Sequence, residues 1–234
     1  LGQNVNSFTT PNGGFPELLE SVANVDGIKR IRYTSPHPQD MTVELLHVMK
    51  KYSNICNYIH LPLQSGSNNI LKRMNRTYTR EEFLLLVDTI KDILPNCSLS
   101  TDVIVGFPGE TDEDFDQTMQ IIENIKFVIA YSFMFSPRPG TPAFKLDEIE
   151  MSVKKARLCA LQSLLKKQQH NYNKSFVNKT MEILFDRKGR YKNQFIGRSI
   201  YNQSVFVDTK ESLIGKILNT NIIRSTNFAL EGQI

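Results

Sequence analysis

Cysteine is scarce in this sequence, and the few cysteines that occur are widely spaced. Cys56, Cys97 and Cys159 lie 41 and 62 residues apart. This spacing matches no zinc or iron–sulfur ligand pattern, and an odd number leaves one thiol unpaired in any disulfide scheme. We therefore expect reduced thiols in a cytoplasmic protein, and we expect no metal ligand among them.

Long apolar runs are absent as well. The longest uncharged apolar stretch, residues 127–135, is far shorter than the roughly 20 residues that a membrane-spanning helix needs. The chain opens at Leu1 without an initiator Met, a basic leader or an apolar signal segment. We expect no membrane partner, and we expect the chain to be part of a longer protein.

The motifs of common hydrolytic enzymes are also missing. No Walker-type loop, HExxH motif, paired-carboxylate spacing or Ser/His/Asp order occurs. Hydrolase and nucleoside-triphosphatase functions therefore have no support in the sequence. His37 lies between two prolines and has no second ligand at a metal spacing, so a hydrogen bond within its own turn is the simpler expectation.

The charge is divided unevenly along the chain, although the formal net charge is only +4. Residues 1–150 carry 13 basic and 19 acidic side chains, a net charge of −6. Residues 151–171 contribute +5 without any acid, and residues 172–234 contribute another +5. This asymmetry indicates that the C-terminal part faces a polyanion.

A repeated order of strand, loop and helix runs through residues 29–144. Four apolar, β-branched runs are each followed by a loop of Ser, Pro, Gly or His, and helices are expected to begin near Thr42, Thr79 and Thr111. The four runs are residues 28–33, 55–63, 99–105 and 127–135. With the remnant of an earlier strand at residues 1–5, they predict an α/β fold and favour an open or closed (β/α) barrel over a doubly wound sheet.

The pattern changes after residue 150. Residues 151–172 predict one basic helix whose buried stripe consists of Val153, Leu158, Leu161 and Leu165. Short alternating segments separated by Gly and Asn turns then predict a small all-β barrel. These segments are residues 180–185, 194–200, 204–207, 214–222 and 227–230. We accordingly divide the chain into residues 1–171 and 172–234.

Polar residues directly after the predicted strands are the first candidates for a site, because parallel barrels gather their chemistry at the carboxyl ends of the strands. They include Gln3, Asn4, Gln64, Ser65 and Arg138. The same residue types also serve turn geometry and helix capping, so each of them has a purely structural alternative.

Two further features stand at the end of the third predicted strand. Asp102 lies within an apolar strand and needs a partner, which a structural salt bridge or a ligand could supply. The turn from Gly106 to Gly109 lets the backbone approach a ligand closely. By itself this turn could serve a phosphate, an adenine ring or tight packing.

A basic hairpin marks the C-terminal domain. Residues 186–192 place Arg187, Lys188, Arg190 and Lys192 beside a tyrosine and a glycine. The hairpin alone could be a phosphate-binding and base-stacking surface or a solvated turn. Because it belongs to a basic domain that follows a basic helix, nucleic acid is the favoured partner.

Five short stretches stand out in the first 150 residues: LGQNVNS (1–7), RIRYTSPHP (30–38), HLPLQSGS (60–67), TDVIVGFPGET (101–111) and FSPRPGTPA (135–143). Together they resemble the radical S-adenosylmethionine methylthiotransferases of the MiaB type, which modify isopentenyl-adenosine beside the anticodon of transfer RNA. Residues from about Tyr172 resemble a TRAM domain, the small OB-like RNA-binding barrel of this family.

The resemblance implies S-adenosylmethionine and [4Fe–4S] clusters as cofactors, and the anticodon stem-loop of transfer RNA as partner. The CxxxCxxC loop that holds the radical-generating cluster in this family does not occur here. The cluster ligands are thus expected outside this chain, and the chain alone is expected to be inactive. By resemblance, the cofactor contacts would be Gln3, Asn4, Gln64, Ser65, Asp102, Gly106 and Arg138. The RNA contacts would come from the four bases of the hairpin.

Other functions remain open at this point. A sister methylthiotransferase could act on threonylcarbamoyl-adenosine or on an aspartate of a ribosomal protein. A non-catalytic RNA-binding protein could have kept the barrel as a scaffold. Residues 30–38 and the basic tail favour the isopentenyl-adenosine branch.

Overall fold

The computed structural model describes residues 4–11, 13–226 and 228–234. An α/β unit built on a parallel sheet comes first, and a closed five-stranded barrel comes last. The predicted α/β class, with a small all-β barrel at the end of the chain, is confirmed.

The α/β unit begins with a short antiparallel pair and then alternates helices with strands. Its strands are β1 (Thr9–Thr10), β2 (Gly13–Gly14), β3 (Tyr58–His60), β4 (Ser98–Val105) and β5 (Ile129–Met134). Its helices are α1 (Phe15–Ala23), α2 (Val43–Lys51), α3 (Asn68–Arg73), α4 (Arg80–Ile93) and α5 (Asp112–Ile125). Val5–Ser7 forms a single 3-10 turn at the end of the segment that was predicted as a strand remnant, and residues 1–3 of that segment lie outside the described residues.

The parallel sheet has the order β3-β4-β5, with β4 in the centre. Tyr58 pairs with Ser98, and Asp102 pairs with Tyr131. The first predicted strand, residues 28–33, reaches this sheet only through a single bridge from Ile31 to Ile55. The described sheet is therefore open at its β3 edge.

Alternation along β4 separates a packing face from a polar face. Leu99, Val103 and Val105 belong to the apolar core beneath the helices. Ser98, Ser100 and Asp102 occupy the other face, as the two-residue period of a strand requires. The polar face of β4 is the surface on which a site can be built.

Local capping explains why three helices begin where the sequence predicts. The hydroxyl groups of Thr42, Thr79 and Thr111 accept hydrogen bonds from backbone N–H groups in the first turns of α2, α4 and α5. Thr79 and Glu82 form the predicted capping box. The sequence analysis missed two shorter helices, α1 and α3.

The basic helix α6 (Met151–Lys174) differs from its prediction on the buried side. Leu161 and Leu165 are buried as expected, but Lys154 and Arg157 are buried beside them. Lys154 bonds to Glu148, and Arg157 bonds to Glu110 and Asp112. Two of the five bases in residues 151–171 are thus held in internal ion pairs, so this helix presents less positive charge than its composition indicates.

The C-terminal barrel has five strands: β6 (Thr180–Lys188), β7 (Gln194–Ser199), β8 (Ser204–Asp208), β9 (Ile217–Ser225) and β10 (Leu230–Gln233). It closes in the strand order β10-β8-β7-β6-β9. Its core contains Ile183, Phe185, Val205, Ile222 and Leu230, each of which has no exposed surface. Gly197 lets β7 approach β6 closely, because a Cβ there would lie 2.4 Å from the Leu184 carbonyl oxygen.

The barrel docks against the amino-terminal end of the parallel sheet. Arg30 donates hydrogen bonds to the backbone carbonyls of Arg198 and Glu182, and Arg32 donates to the carbonyl of Ser199. The hydroxyl of Ser98 donates to the Tyr201 carbonyl at 3.2 Å. Arg30 and Arg32 therefore join the two units. No helix in the described part of the chain combines the length and the hydropathy that crossing a bilayer requires.

Candidate functional site: two adjoining clefts at the sheet

Two adjoining clefts open at the carboxyl ends of β3 and β4. The polar cleft has a volume of about 300 Å³ and is lined by residues such as Asn4, His37, His60 and Tyr78. The apolar cleft has a volume of about 750 Å³, and Ile104, Phe107, Phe133 and Phe135 form its wall. Gln64, Arg76 and Asp102 line both clefts. Both volumes lie in the usual range for small-molecule sites.

Gln64 is positioned by the backbone just beyond β3. Its N–H donates to the Asp102 carbonyl at 2.8 Å, and its own carbonyl accepts from the Ile104 N–H at 2.9 Å. The residue has a left-handed φ of 66°, which turns the chain away from the sheet. The turn leaves the Gln64 side chain lining both clefts, in agreement with its position at the end of a predicted strand.

Asp102 belongs to a chain of hydrogen-bonded side chains on the polar face of the sheet. Its carboxylate lies 3.2 Å from His60 Nε2, and His60 Nδ1 lies 2.8 Å from the Ser100 hydroxyl. That hydroxyl lies 2.6 Å from the Tyr58 hydroxyl. Burial raises the pKa of Tyr58, with opposing hydrogen bonds from Ser100 and Asn202. The partner that Asp102 requires is therefore a histidine, and its carboxylate still lines both clefts.

His60 is a site residue that the sequence analysis did not select. It occurs within the HLPLQSGS stretch, but only Gln64 and Ser65 follow the predicted strand. The available signal was the two-residue alternation of Tyr58, His60, Pro62 and Gln64, which places these residues on one face of the strand. His60 also meets the Tyr131 ring edge to face at 6.1 Å.

Asn4 brings an unpaired polar atom to the polar cleft. Its Nδ2 donates to Asp40 Oδ2 at 2.9 Å, whereas its buried Oδ1 has no hydrogen-bond partner. A buried acceptor without a donor is costly unless a ligand or water supplies one. Gln3, the adjacent predicted contact, lies outside the described residues.

Ser65 and Gly106 line neither of the two clefts. Ser65 is fully buried, and its hydroxyl lies 3.3 Å from the Thr118 hydroxyl. Gly106 has a φ of +72°, and a Cβ there would lie 2.4 Å from Lys154 Cγ. The structure gives both residues packing roles, and direct contact with a ligand stays a prediction for them.

A buried ion pair supports the turn that begins at Gly106. Glu110 accepts hydrogen bonds from the Gly106 N–H at 2.7 Å and from Arg157 Nη1 at 2.8 Å. Burial raises the pKa of Glu110, although the Gly106 N–H and the Arg157 charge act in the opposite direction. This pair ties α6 to the end of β4 and thereby fixes one side of the apolar cleft.

Three arginines stand around the apolar cleft: Arg73 at the end of α3, Arg76 in the turn after it, and Arg138 in the loop after β5. Arg73 and Arg138 are exposed, whereas Arg76 is half-buried. The sequence analysis selected only Arg138, because the other two do not follow a strand.

The basic hairpin lies on the second unit. Arg187, Lys188, Arg190 and Lys192 are all exposed, and Tyr191 keeps 67% of its surface exposed. The Arg190 guanidinium lies 6.0 Å from the centre of the Tyr191 ring. An exposed aromatic ring among four cations is suited to stacking on a base and to contacts with phosphates.

The described residues provide no site for an iron–sulfur cluster. No group of three or more His, Cys, Asp or Glu side chains among them could hold a metal ion. Cys56 is buried, Cys97 is half-buried and Cys159 is exposed, and all three are free thiols. Burial raises the pKa of Cys97 to about 12, so its thiolate form is strongly disfavoured.

Comparison with known families matches each unit separately. The Radical SAM superfamily model matches residues 8–122, and the TRAM domain model matches residues 174–234. This chain carries a radical SAM domain and a TRAM domain. These two parts of the resemblance noted in the sequence are therefore confirmed, and both clefts lie in the first unit.

Curated relatives match almost the whole chain. A tRNA-2-methylthio-N(6)-dimethylallyladenosine synthase of Wolbachia pipientis subsp. Culex pipiens is 44% identical to this chain. The alignment covers 99% of this chain and 54% of that enzyme. The enzyme of that name from Rickettsia canadensis is 42% identical, and the alignment covers 100% of this chain and 54% of that enzyme. The enzyme of that name from Agrobacterium fabrum is 46% identical, and the alignment covers 95% of this chain and 50% of that enzyme. This chain thus spans about half the length of the curated relatives that it matches.

Among solved structures, coproporphyrinogen III oxidase (HemN) from Escherichia coli, described as a radical SAM enzyme, matches with a TM-score of 0.48 and 18% identity. The match covers 57% of this chain and 31% of that one. A similarity of this size does not establish a shared fold by itself.

Proposed function

We propose that this chain forms the cofactor-binding and RNA-binding part of a tRNA methylthiotransferase that acts on N(6)-dimethylallyladenosine. The observation that carries the proposal is the match along nearly the whole chain to enzymes of that name, at 42% to 46% identity for the three described above. The order of the two units and the clefts at the carboxyl ends of β3 and β4 support it.

The polar cleft and the inner part of the apolar cleft fit S-adenosylmethionine. The Asp102 carboxylate and the free Oδ1 of Asn4 can accept hydrogen bonds from the ribose hydroxyls and the amino group, and the Gln64 amide can both accept and donate. Ile104 and Phe107 offer an apolar surface for the adenine ring. When bound, the cofactor supplies the radical chemistry, and the residues of this chain hold and orient it.

The described residues do not fit an iron–sulfur cluster. The cluster ligands of the proposed enzyme then lie outside this chain, as the resemblance implies. Ser65, Gly106 and Glu110 shape the cofactor site by packing and by fixing the turn after β4.

The RNA partner proposed for the TRAM domain is the anticodon stem-loop of transfer RNA. The exposed hairpin bases and Tyr191 are suited to phosphates and unstacked bases, which are the features that RNA loops present. Such an enzyme meets its substrate in the cytoplasm, which is where we place this protein.

The test uses the complete protein with its clusters reconstituted under anaerobic conditions. A transfer RNA that carries N(6)-dimethylallyladenosine is incubated with S-adenosylmethionine and a reductant, and the digested nucleosides are analysed by mass spectrometry. We expect the modified nucleoside to gain a methylthio group, and we expect no change in a transfer RNA with unmodified adenosine.

Two further substrates separate the alternatives. A product only on threonylcarbamoyl-adenosine or on a ribosomal-protein aspartate would assign a sister enzyme. RNA binding without any product, in a preparation whose clusters are intact, would favour a non-catalytic RNA-binding barrel.

A further inference from the structure

Three arginines line the apolar cleft without a carboxylate partner among the described residues. Arg73, Arg76 and Arg138 line this cleft. None of them takes part in the ion pairs formed among the described residues. Other arginines in the same unit are engaged, because Arg30 and Arg80 each donate to backbone carbonyls. We call these three residues the arginine rim.

Arg76 is the half-buried member of the arginine rim, and its surroundings give the strongest indication of a bound ligand. Its Nε is buried and has no hydrogen-bond partner, as in Arg30, Arg32 and Arg157. The Nη atoms of those three donate hydrogen bonds within the fold, whereas the Arg76 guanidinium makes none among the described residues. Arg76 lines both clefts, and Asp102 is the one carboxylate in the described lining of either. Asp102 bonds to His60 instead. A buried guanidinium nitrogen without an acceptor is costly unless a ligand or water supplies one, and its positive charge favours an anionic ligand.

The charge of the surrounding unit strengthens this argument. Residues 1–150 have a net charge of −6, so three unpaired arginines at one opening do not reflect a generally basic surface. Two of the three are exposed at the mouth, and Phe133 keeps 52% of its surface exposed in the same cleft. Guanidinium groups beside an open aromatic ring match a phosphate next to an unstacked base.

We propose that the arginine rim binds the RNA phosphates beside the target nucleotide, whose base enters the apolar cleft along Phe133. This inference rests on the proposed function, because it assumes an RNA substrate at the clefts. It adds a second RNA contact, separate from the basic hairpin of the TRAM domain. Three guanidinium groups spread around an opening also exceed what the single carboxylate of S-adenosylmethionine can engage.

The test measures the affinity of the full chain for a stem-loop RNA as a function of salt. Arg73→Gln with Arg138→Gln removes the two exposed members of the rim. Each phosphate contact to single-stranded RNA contributes a log–log slope of about −0.7, so the double variant should flatten the slope by about 1.4. The proposal reassigns Arg138 from the cofactor contact that the resemblance implies to an RNA contact, so the affinity of this variant for S-adenosylmethionine should be unchanged.

A matched control removes the same charge elsewhere. Lys50→Gln with Lys91→Gln changes two exposed bases of the same unit that line neither cleft. The salt slope of this control should equal that of the parent. An equal flattening in both double variants would show a long-range effect of charge and would overturn the proposal.

The remaining outcomes distinguish a failure of the arginine-rim proposal from a failure of the proposed function. An unchanged slope with weaker S-adenosylmethionine binding in the rim variant would assign the anion to the cofactor carboxylate and overturn the proposal. If a hairpin variant flattens the slope and the rim variant does not, RNA binding stands and the rim proposal fails. If the parent chain binds no stem-loop RNA, both the rim proposal and the proposed RNA partner fail.

Discussion

The ion pair between Arg157 and Glu110 allows a quantitative test of how α6 is held against the sheet. Arg157 Nη1 donates to the Glu110 carboxylate at 2.8 Å and to the Glu110 carbonyl at 3.0 Å. The two side chains are 8% and 1% exposed, respectively. The change Arg157→Met keeps most of the apolar stem and removes the charge, so it leaves the Glu110 carboxylate buried without its cation.

The expected cost follows from this burial. Removing one partner of a buried pair destabilises a protein by about 3 to 5 kcal/mol. Glu110 keeps its hydrogen bond from the Gly106 N–H at 2.7 Å, so we expect a value near the lower limit. The second contact of Arg157, to Asp112 at 2.7 Å, adds little because the Asp112 side chain is 96% exposed.

The loss should depend on pH in a defined direction. Burial raises the pKa of Glu110 in the folded parent above its usual range, against the pull of Gly106 and Arg157. The variant lacks the Arg157 charge, so its folded pKa rises further while the unfolded value stays the same. An acid whose folded pKa is raised favours folding below its unfolded pKa, and that contribution is lost as the pH rises through the folded pKa. The variant should therefore recover stability as the pH falls from 7 toward 5.

Urea unfolding of the parent and the variant at pH 7 and pH 5 measures both effects. The double variant Glu110→Gln with Arg157→Met removes the stranded charge, and it should be more stable at pH 7 than Arg157→Met alone. A loss below about 1 kcal/mol for Arg157→Met, or an equal loss at both pH values, would refute this reasoning about the pair.

Three further predictions address the turn, the cofactor and the RNA. In urea unfolding, Gly106→Ala should lower the free energy of unfolding by at least about 2 kcal/mol, because the new side chain would combine left-handed backbone strain with a clash against Lys154. The control Gly140→Ala has a φ of +86° and open space around it, so it should show the cost of the backbone strain alone. Gln64→Ala should weaken S-adenosylmethionine binding by about 5-fold to 10-fold in calorimetry and leave RNA affinity intact, and unchanged cofactor affinity would limit Gln64 to a structural role. Replacing Arg187, Lys188, Arg190 and Lys192 with Ala should flatten the salt slope of RNA binding by about two to four, whereas a parental slope would mean that the hairpin is a solvated turn.

Helices with a complete capping signal in their own sequence could be predicted, and helices that depend on packing could not. The cap of α4 lies within four residues, Thr79 to Glu82, so the sequence carries the complete signal. Helix α3 has only six residues, too few to show a clear period. It is held by its Ser67 cap and by the burial of Ile70 and Leu71, and this burial depends on the rest of the fold.

The candidate site divides in the same way. Gln64 and Asp102 could be selected because they lie in or directly after apolar runs, where parallel barrels place their chemistry. The role of His60 could not be predicted, since its bond to Asp102 joins residues 42 positions apart. The same holds for Arg73 and Arg76, which join Arg138 only when the turn after α3 meets the loop after β5.

The sequence by itself determined the α/β order, the capped helix starts, the small C-terminal barrel and the family, because these depend on neighbouring residues and on short motifs. Only the tertiary structure decided which charges are free. Lys154 and Arg157 are used within the fold, whereas Arg73, Arg76 and Arg138 remain without an ion-pair partner among the described residues. The physical reason is that an ion pair between Arg157 and Glu110 spans 47 positions, and such a distance closes only when the helix packs on the sheet.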